Sequence, residues 1–539
     1  MLKKIWRRLG LGILTALFTV NTGVTSPRTV AAEEIIFIPH DSRSVCAAQP
    51  AEVAEAAGAQ VIMPPAEFIA QGVDEPGNPE ELWHWLEENA SDAKAAVLST
   101  DSLLYGGLMA SRKHEIPTEV IQGRVLRFRQ LKKEHPKLQL YLFGSLMRTP
   151  KSGLYAGREE PDYYQEYGEA IFKYTAALDK AESERRLAQE KNELEKLKGA
   201  IPENVWRDWL GRREKNLAAT KAIMDLTGAG IVDYFVVGKD DNAPFCQTHR
   251  ENLALISYAE KKKLEKEKFQ TLTGIDEFNL LLLTRAINNL RRQMPFVFLD
   301  YNTGMGEKTV PAFSDESIGK SLKEAVTVGG GLTVPRPQKA DLVLLVNTNP
   351  DGYTGDAYHR SPGAAPIVND GKARYGTAPF VKMTKKYLDQ GYPVGIADIA
   401  FANGADNALM QGLQNSNLLG RLKSYGGWNT ATNSAGFALG IGMLSGQMDK
   451  AGLGRVLMRR YLDDWGYQAA VRFQILDELA AEGHWQYYVK LDGAAAEVGE
   501  RTTVALKKFA QKNIPPLADI SRLRVTFPWD RMFECDIFF

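Results

Sequence analysis

The feature that most constrains this chain is a recurring alternation between short apolar segments and longer helical segments. The short segments are rich in β-branched and aliphatic residues, as β-strands are. They are residues 34–39, 59–63, 95–100, 139–144, 231–238, 296–299, 342–347 and 394–399. Strands that alternate with helices predict an α/β fold with a mainly parallel sheet covered by helices on both faces. The pattern favours a (β/α)8-barrel-like domain with helical insertions, and two doubly wound α/β domains are the alternative.

The chain divides into three predicted parts. Residues 1–32 are predicted to be a cleavable signal peptide, because basic residues precede an apolar run at 11–20 that is too short to span a bilayer stably. An uncleaved N-terminal anchor is the alternative. Residues 33–445 are predicted to form the barrel-like domain and residues 446–539 a mostly helical C-terminal subdomain. We therefore expect a secreted or cell-envelope protein with no stable membrane span in its mature part.

The balance of charge, the cysteines and the absence of certain motifs exclude several classes of function. Basic and acidic residues are equal in number, at 66 each, and there is no long basic patch, so no nucleic-acid partner is expected. The three cysteines are far apart and indicate neither a disulfide framework nor a CxxC metal site. His40 and His249 stand outside the HxH and HExxH patterns, and no serine-hydrolase or nucleotide-binding motif is present. The sequence therefore predicts no metal and no cofactor.

Polar side chains follow several predicted strands at the point where each strand ends. The active site of a (β/α)8 barrel is built at this edge. The residues concerned are Asp41 and Arg43 after the first strand, Asp101 and Tyr105 after the third, Lys239 to Asn242 after the fifth, and Asp398 and Asn403 after the eighth. We expect these side chains to converge on one site and to contact a carbohydrate. Ion pairing and turn formation are their alternative, structural roles.

Asp240 and Asp241 are the most informative pair, because a strand-like segment would deliver both carboxylates to the rim. Two adjacent carboxylates resist joint ionisation, so one is pushed towards a higher pKa and can donate a proton while its neighbour stays charged. That division of labour suits glycoside hydrolysis. Capping of the following helix or binding of a structural cation is the alternative.

A second group of candidates lies in the segment from residue 427 to 433. Trp428 could stack on a sugar ring, or it could belong to the core. Asn429 and Asn433 precede or open a helix, where an amide either caps the helix or contacts a ligand. Asp276 and Glu277 stand before an apolar helical run, and we interpret them as acids of the first helical turn that stabilise the helix dipole.

Several dispersed motifs occur in an order that identifies a family. They are residues 98–108 (LSTDSLLYGGL), 240–244 (DDNAP), 274–277 (GIDE), 427–433 (GWNTATN) and 527–529 (FPW). In this set the chain resembles the bacterial DUF4127 family of unknown function over nearly the whole mature sequence. The resemblance implies one contiguous unit but no particular reaction.

The chain is also similar, more faintly, to the O-GlcNAcase and hyaluronidase-like hexosaminidases. The similarity consists of a strand that ends in Asp-Asp, a later strand that ends in Asp with a nearby Asn, and an Asn-rich turn that opens a helix. In those enzymes the paired aspartates assist the acetamido group of the substrate. The similarity implies that Asp240 orients the acetamido nitrogen, Asp241 is the acid/base, and Asp398, Asn403 and Asn429 bind sugar. Asn242-Ala243-Pro244 and Asp398-Ile399-Ala400 depart from the pattern of those enzymes.

The leading hypothesis is a secreted glycoside hydrolase that acts on amino-sugar-containing glycans through Asp240 and Asp241. A non-catalytic carbohydrate-binding or envelope protein is the first alternative. A cation-dependent esterase or deacetylase that uses Asp41, Asp101 and Asp241 as oxygen ligands is the second.

Overall fold

A computed structural model describes residues 33–153, 157–358 and 366–539 of the chain, and residues 33–539 form one compact unit. The predicted signal peptide at residues 1–32 lies outside the described residues. Among the described residues, none of the helices combines the length and apolarity needed to cross a membrane. The α/β class and the mainly parallel strand pairing are confirmed.

The regular elements are numbered in chain order. The strands are β1 (Glu34–Ile38), β2 (Gln60–Ile62), β3 (Ala95–Ser99), β4 (Gln139–Leu146), β5 (Tyr234–Lys239), β6 (Phe269–Thr273), β7 (Phe296–Tyr301), β8 (Leu332–Thr333), β9 (Leu342–Asn347), β10 (Gly355–Asp356), β11 (Val394–Asp398), β12 (Phe401–Ala402), β13 (Ser424–Gly426), β14 (Arg524–Thr526) and β15 (Asp536–Phe538). The helices are α1 (Ala48–Ala56), α2 (Pro79–Asn89), α3 (Thr100–Tyr105), α4 (Leu108–Lys113), α5 (Thr118–Glu134), α6 (Tyr164–Ser183), α7 (Leu187–Gly199), α8 (Glu203–Gly228), α9 (Gln247–Lys262), α10 (Phe278–Leu290), α11 (Ile318–Val328), α12 (Thr377–Asp389), α13 (Asn407–Asn415), α14 (Ala431–Leu444), α15 (Lys450–Arg460), α16 (Arg472–Ala481) and α17 (Ala495–Asn513).

The strands pair into two large parallel sheets with the same order. The first sheet runs β2-β1-β3-β4-β5-β6, and the second runs β8-β7-β9-β11-β13. Counted within each sheet, both orders begin 2-1-3-4-5, which is a doubly wound arrangement. In the described residues no strand pair joins the two sheets into a closed barrel, so the strand pairing matches the two-sheet alternative.

Three apolar cores hold the two sheets and their helices together. Alternate residues of a strand point to opposite faces, so Phe37 and Ile38 of β1 enter different cores. One core is shared, because it contains one face of each sheet together with α1, α10, α11 and α14. The other two cores cover the outer faces of the first and the second sheet. Burial on both faces explains why the strands read as continuous apolar runs.

Helical additions occur where the sequence predicts them. The long charged segment between β4 and β5 forms α6, α7 and α8, and a small apolar cluster that includes Trp209 lies between α6 and α8. The charged run 181–199 belongs to two helices, because α6 ends at Ser183 and Arg185 has a φ of +57°. After residue 445 the chain is mostly helical, as predicted, and it closes with the antiparallel pair β14 and β15. Within this part, Tyr461–Val471 is a π-helix between α15 and α16.

Candidate functional site

A cavity of about 580 Å³ lies at the carboxyl ends of the strands of the first sheet. Loops after β11 to β13 of the second sheet and residues 528–533 near the C-terminus complete its wall. The charged side chains in the wall are Arg43, Asp74, Glu75, Arg112, Arg148, Arg158, Glu159, Asp240, Asp241, Asp276, Asp356, Lys490, Asp530 and Arg531. Open α/β sheets bind their ligands at this edge, so the cavity is the candidate functional site.

The Arg43 guanidinium lies at the deepest part of a buried polar network. Arg43 follows β1, and its Nε donates to both carboxylate oxygens of Asp41 at 3.1 and 3.0 Å. Its Nη2 lies 2.8 Å from Asp276 Oδ1 and 3.1 Å from His40 Nε2. Arg43 also packs over the ring of Trp529, at 5.5 Å from the ring centroid. The network therefore joins the ends of β1 and β6 to the C-terminal segment.

Asp276 is held as a carboxylate by the groups around it. Burial by itself would raise the pKa of Asp276, but the Arg43 charge and hydrogen bonds from His40 and Asn429 hold the pKa well below its ordinary value. Asn429 Nδ2 donates to Asp276 Oδ2 at 2.8 Å. Asn433 Nδ2 in turn donates to Asn429 Oδ1 at 2.6 Å. These contacts fix the loop after β13 against the first sheet.

Asp240 and Asp241 follow β5 and have different partners. Asp240 forms an ion pair with Arg112 of α4, whereas Asp241 Oδ2 accepts from Arg148 Nη1 at 2.8 Å. Asp241 has a φ of +40°, in the left-handed region that aspartate adopts more readily than most residues. Burial and the neighbouring Asp240 raise the pKa of Asp241 to about 7, against the opposing charges of Arg148 and Arg112. The two aspartates are therefore electrostatically distinct.

Glu159 links three arginines in the cavity wall. Its Oε2 lies 3.2 Å from Arg112 Nη1 and 3.0 Å from Arg148 Nη2, and its Oε1 accepts from Arg531 Nη1 at 2.9 Å. Although burial acts to raise the pKa of Glu159, Arg148 and Arg531 hold it well below its ordinary value. Glu159 thereby ties the residues that hold Asp240 and Asp241 to the C-terminal segment.

His40, Cys46 and Asp276 are close enough together to be considered as metal ligands. The Arg43 guanidinium, however, lies within hydrogen-bond distance of both His40 and Asp276. Burial raises the pKa of the Cys46 thiol well above its ordinary value, which disfavours the thiolate that binds metals. A cation at this point would also have to approach the positive charge of Arg43, so the donor set does not fit a metal.

Six predicted site residues line the cavity together. They are Arg43, Asp240, Asp241, Asn403, Asn429 and Asn433. Asn403 has a φ of +62°, and its amide nitrogen donates to the carbonyl oxygen of Asn429 at 2.7 Å. The predicted convergence of strand ends is therefore observed for Arg43, Asp240, Asp241 and Asn403, and the separately predicted Asn429 and Asn433 line the same cavity.

The other predicted residues after β1 and β3 lie behind the cavity wall. Asp41 is fully buried and acts on the cavity through Arg43. Asp101 is buried, and burial raises its pKa to about 6 although Ser145 hydrogen bonds oppose the shift. Tyr105 stacks on His114, with 4.7 Å between the ring centroids. A Cβ on Gly107 would approach the Cβ of Ala70 to 2.8 Å, so this glycine serves close chain packing.

Lys239, Asn242, Asp398 and Trp428 are likewise absent from the described cavity wall. Lys239 Nζ lies 2.7 Å from Asp315 Oδ1, and Asn242 Oδ1 accepts from the Cys246 thiol at 3.2 Å. Asp398 accepts hydrogen bonds at the edge of the second sheet, and Trp428 belongs to the shared core. Alternation of side chains explains Lys239, which points to the opposite side from its neighbour Asp240.

Sequence reasoning missed Arg112, Arg148 and the C-terminal contributions to the site. Arg148 directly follows β4 and could have been found by extending the strand-end rule to that strand. Asp276, interpreted as a helix-dipole acid, lies instead at the centre of the buried network. Trp529 and Arg531 are remote in sequence, and their only signal was the Phe-Pro-Trp motif at 527–529.

The comparisons with known proteins identify a family without an assigned activity. A search of curated proteins finds no match, and neither does a search of solved structures. The family model described as "Protein of unknown function (DUF4127)" matches residues 35–538. Because this match includes both sheets, the cavity and the C-terminal segment, the chain belongs to the DUF4127 family.

Proposed function

We propose that this protein is a glycoside hydrolase that acts on amino-sugar-containing glycans, with Asp240 and Asp241 as its catalytic residues. The observation that carries the proposal is the unlike pair of carboxyl groups in one cavity wall. Asp240 is ion-paired with Arg112, whereas the pKa of Asp241 is raised to about 7 by burial and by Asp240. Asp241 can then hold a proton near neutral pH beside the ion-paired Asp240, and acid–base catalysis on a glycosidic bond requires such an unlike pair.

In the proposed reaction Asp241 is the acid/base. It donates its proton to the leaving glycosidic oxygen while the acetamido oxygen of the substrate attacks the anomeric carbon. Asp240 accepts a hydrogen bond from the acetamido N–H and so orients the attacking group. Asp241 then removes a proton from the water that opens the cyclic intermediate. Arg148 contacts Asp241 and adjusts its proton affinity.

We propose that this reaction takes place outside the cytoplasm, in the cell envelope or after secretion. The support is the basic, apolar and small-residue order within residues 1–32. An extracytoplasmic enzyme would meet envelope or external glycans, which are rich in amino sugars.

A panel of chromogenic glycosides that includes N-acetylhexosaminides tests the proposal. The wild-type protein is compared with Asp241→Asn and with Asp536→Asn, a matched change at a partly buried aspartate whose pKa burial raises to about 6 and which does not line the cavity. We expect Asp241→Asn to lower kcat by about 10²- to 10⁴-fold and Asp536→Asn to retain turnover. Each variant is checked for folding by circular dichroism.

The alternatives give different results in the same panel. Glycan binding without turnover by the wild type would favour a carbohydrate-binding protein. Ester or amide cleavage that a chelator abolishes would favour a cation-dependent esterase or deacetylase. Glycoside turnover that survives the Asp241→Asn change would contradict the proposal.

A further inference from the structure

A strip of aromatic side chains leads outwards from the rim of the cavity. Tyr488, Val489 and Lys490 line the cavity, and Tyr488 is the last residue of a short 3₁₀-helix, Trp485–Tyr488. Side chains three residues apart eclipse one another in a 3₁₀-helix, so Trp485 and Tyr488 lie in one row. Trp485 is 75% exposed, which is exceptional for the largest apolar side chain.

A second loop brings another aromatic ring to the same strip. Asp356 lines the cavity, and the amide nitrogen of Tyr358 donates to its carboxylate at 2.9 Å. The Tyr358 ring lies 6.0 Å from the ring of Tyr488 and is 54% exposed. The strip of Trp485, Tyr488 and Tyr358, which we call the rim platform, is therefore continuous with the cavity. Exposed apolar patches of this kind mark binding surfaces.

We propose that the rim platform binds the sugar units of a glycan chain that extend beyond the unit bound in the cavity, so that the substrate is an oligomer or polymer. This inference rests on the proposed glycosidase function. Flat aromatic faces match the apolar C–H faces of pyranose rings. The platform is not the place for cleavage, because the paired aspartates lie inside the cavity.

The test measures how turnover and binding depend on substrate length. The probes are an aryl N-acetylglucosaminide and soluble chitin oligomers of increasing length, and the variants are Trp485→Ala and Trp485→Phe. Tyr375→Ala is the matched control, since Tyr375 is 82% exposed and does not line the cavity. Binding of the oligomers is measured by calorimetry with the Asp241→Asn variant as background, so that cleavage does not interfere.

We expect Trp485→Ala to lower kcat/KM and affinity for the longer oligomers by roughly tenfold and to leave the aryl glycoside unaffected. Trp485→Phe should retain most of the binding, and Tyr375→Ala should resemble the wild type. If Trp485→Ala lowered kcat/KM equally for short and long substrates, or for neither, the proposal that the rim platform binds sugar units would be wrong. Length-dependent binding without turnover would instead overturn the hydrolase and leave the platform standing. No oligomer binding by the wild-type chain would overturn the platform.

Discussion

The two sheets have the same strand order, but the charged side chains at their carboxyl edges have different surroundings. At the first edge, Arg43, Asp240 and Asp241 line an open cavity. At the second edge, Asp398 and Asp406 are buried and absent from the described cavity wall. Asp398 accepts from Asn347 Nδ2, the Asp406 amide nitrogen and the Tyr425 hydroxyl, at 2.8 to 2.9 Å.

The comparison shows that the strand order creates an edge where a site can form. The side chains at that edge determine whether a site does form there. At the second edge Asn347, Asp398 and Asp406 are joined by hydrogen bonds that link the loops after β9 and β11. At the first edge the arginines pair with carboxylates and still face a cavity. Fold alone would assign a site to both edges equally.

The largest expected effect concerns the first edge. Arg148 pairs with Glu159, Glu160 and Asp241, so Arg148→Met would remove the ion-pair partner of Asp241 and one of the counter-charges of Glu159 and Glu160. We expect this change to lower the free energy of unfolding by about 3–5 kcal/mol, measured by urea denaturation. Arg148→Lys keeps the charge and should lose less. An unchanged midpoint for Arg148→Met would show that these ion pairs do not hold the edge together.

A smaller effect is expected at the second edge. Asp398→Asn replaces one acceptor by a donor where three donors converge, so we expect a loss of about 1–3 kcal/mol in the free energy of unfolding. The substrate KM should not change, because Asp398 is absent from the described cavity wall. If Asp398→Asn raised the KM and left the free energy of unfolding unchanged, the second edge would serve substrate binding and not stability.

Asp398 at the second edge and Asp276 at the first edge should respond oppositely to pH. Burial and Asp406 raise the pKa of Asp398 to about 7, so the folded protein holds this proton more tightly than the unfolded chain does. The contribution of Asp398 to the unfolding free energy is therefore full below about pH 4 and falls by about 1 kcal/mol per pH unit up to about pH 7.

The pKa of Asp276 at the first edge is instead lowered, chiefly by Arg43 against the effect of burial. Its contribution is present above about pH 4 and is lost as the pH falls below that value. Urea unfolding across this range, with Asp398→Asn and Asp276→Asn, separates the two contributions. If the slope of the unfolding free energy against pH between about pH 4 and 7 were the same in Asp398→Asn as in the wild type, the pKa shift assigned to Asp398 would be contradicted.

The smallest expected effect is that of a chelator. Arg43 lies against His40 and Asp276, so EDTA should change neither the melting temperature nor glycoside turnover. Loss of either property, restored by one divalent cation, would show that the first edge holds a metal.

The sequence predicts the elements whose signal is local. Apolar runs locate β1, β3, β4, β5 and β9 to within a few residues, because both of their faces are buried. The same reasoning finds Asp240 and Asp241, which directly follow a strong strand signal. It also predicts the alternation that makes the sheets parallel.

The missed parts depend on contacts that are remote in sequence. Strands β6 and β13 are short and include polar residues, so neither gives an apolar signal. These two strands lead directly to Asp276 and Asn429, which meet across 153 positions of the chain. Without the two strands the sequence could not predict that these side chains join the ends of the two sheets.

The most direct test of the central claim is the pH dependence of kcat/KM for an N-acetylhexosaminide. If Asp241 is the acid/base, activity falls as the pH rises through about 7, because the group loses the proton that it donates. The same protein with Asp241→Asn should have a kcat that is about 10²- to 10⁴-fold lower. A rate that is independent of pH through this range, or substantial turnover by Asp241→Asn, would contradict the account.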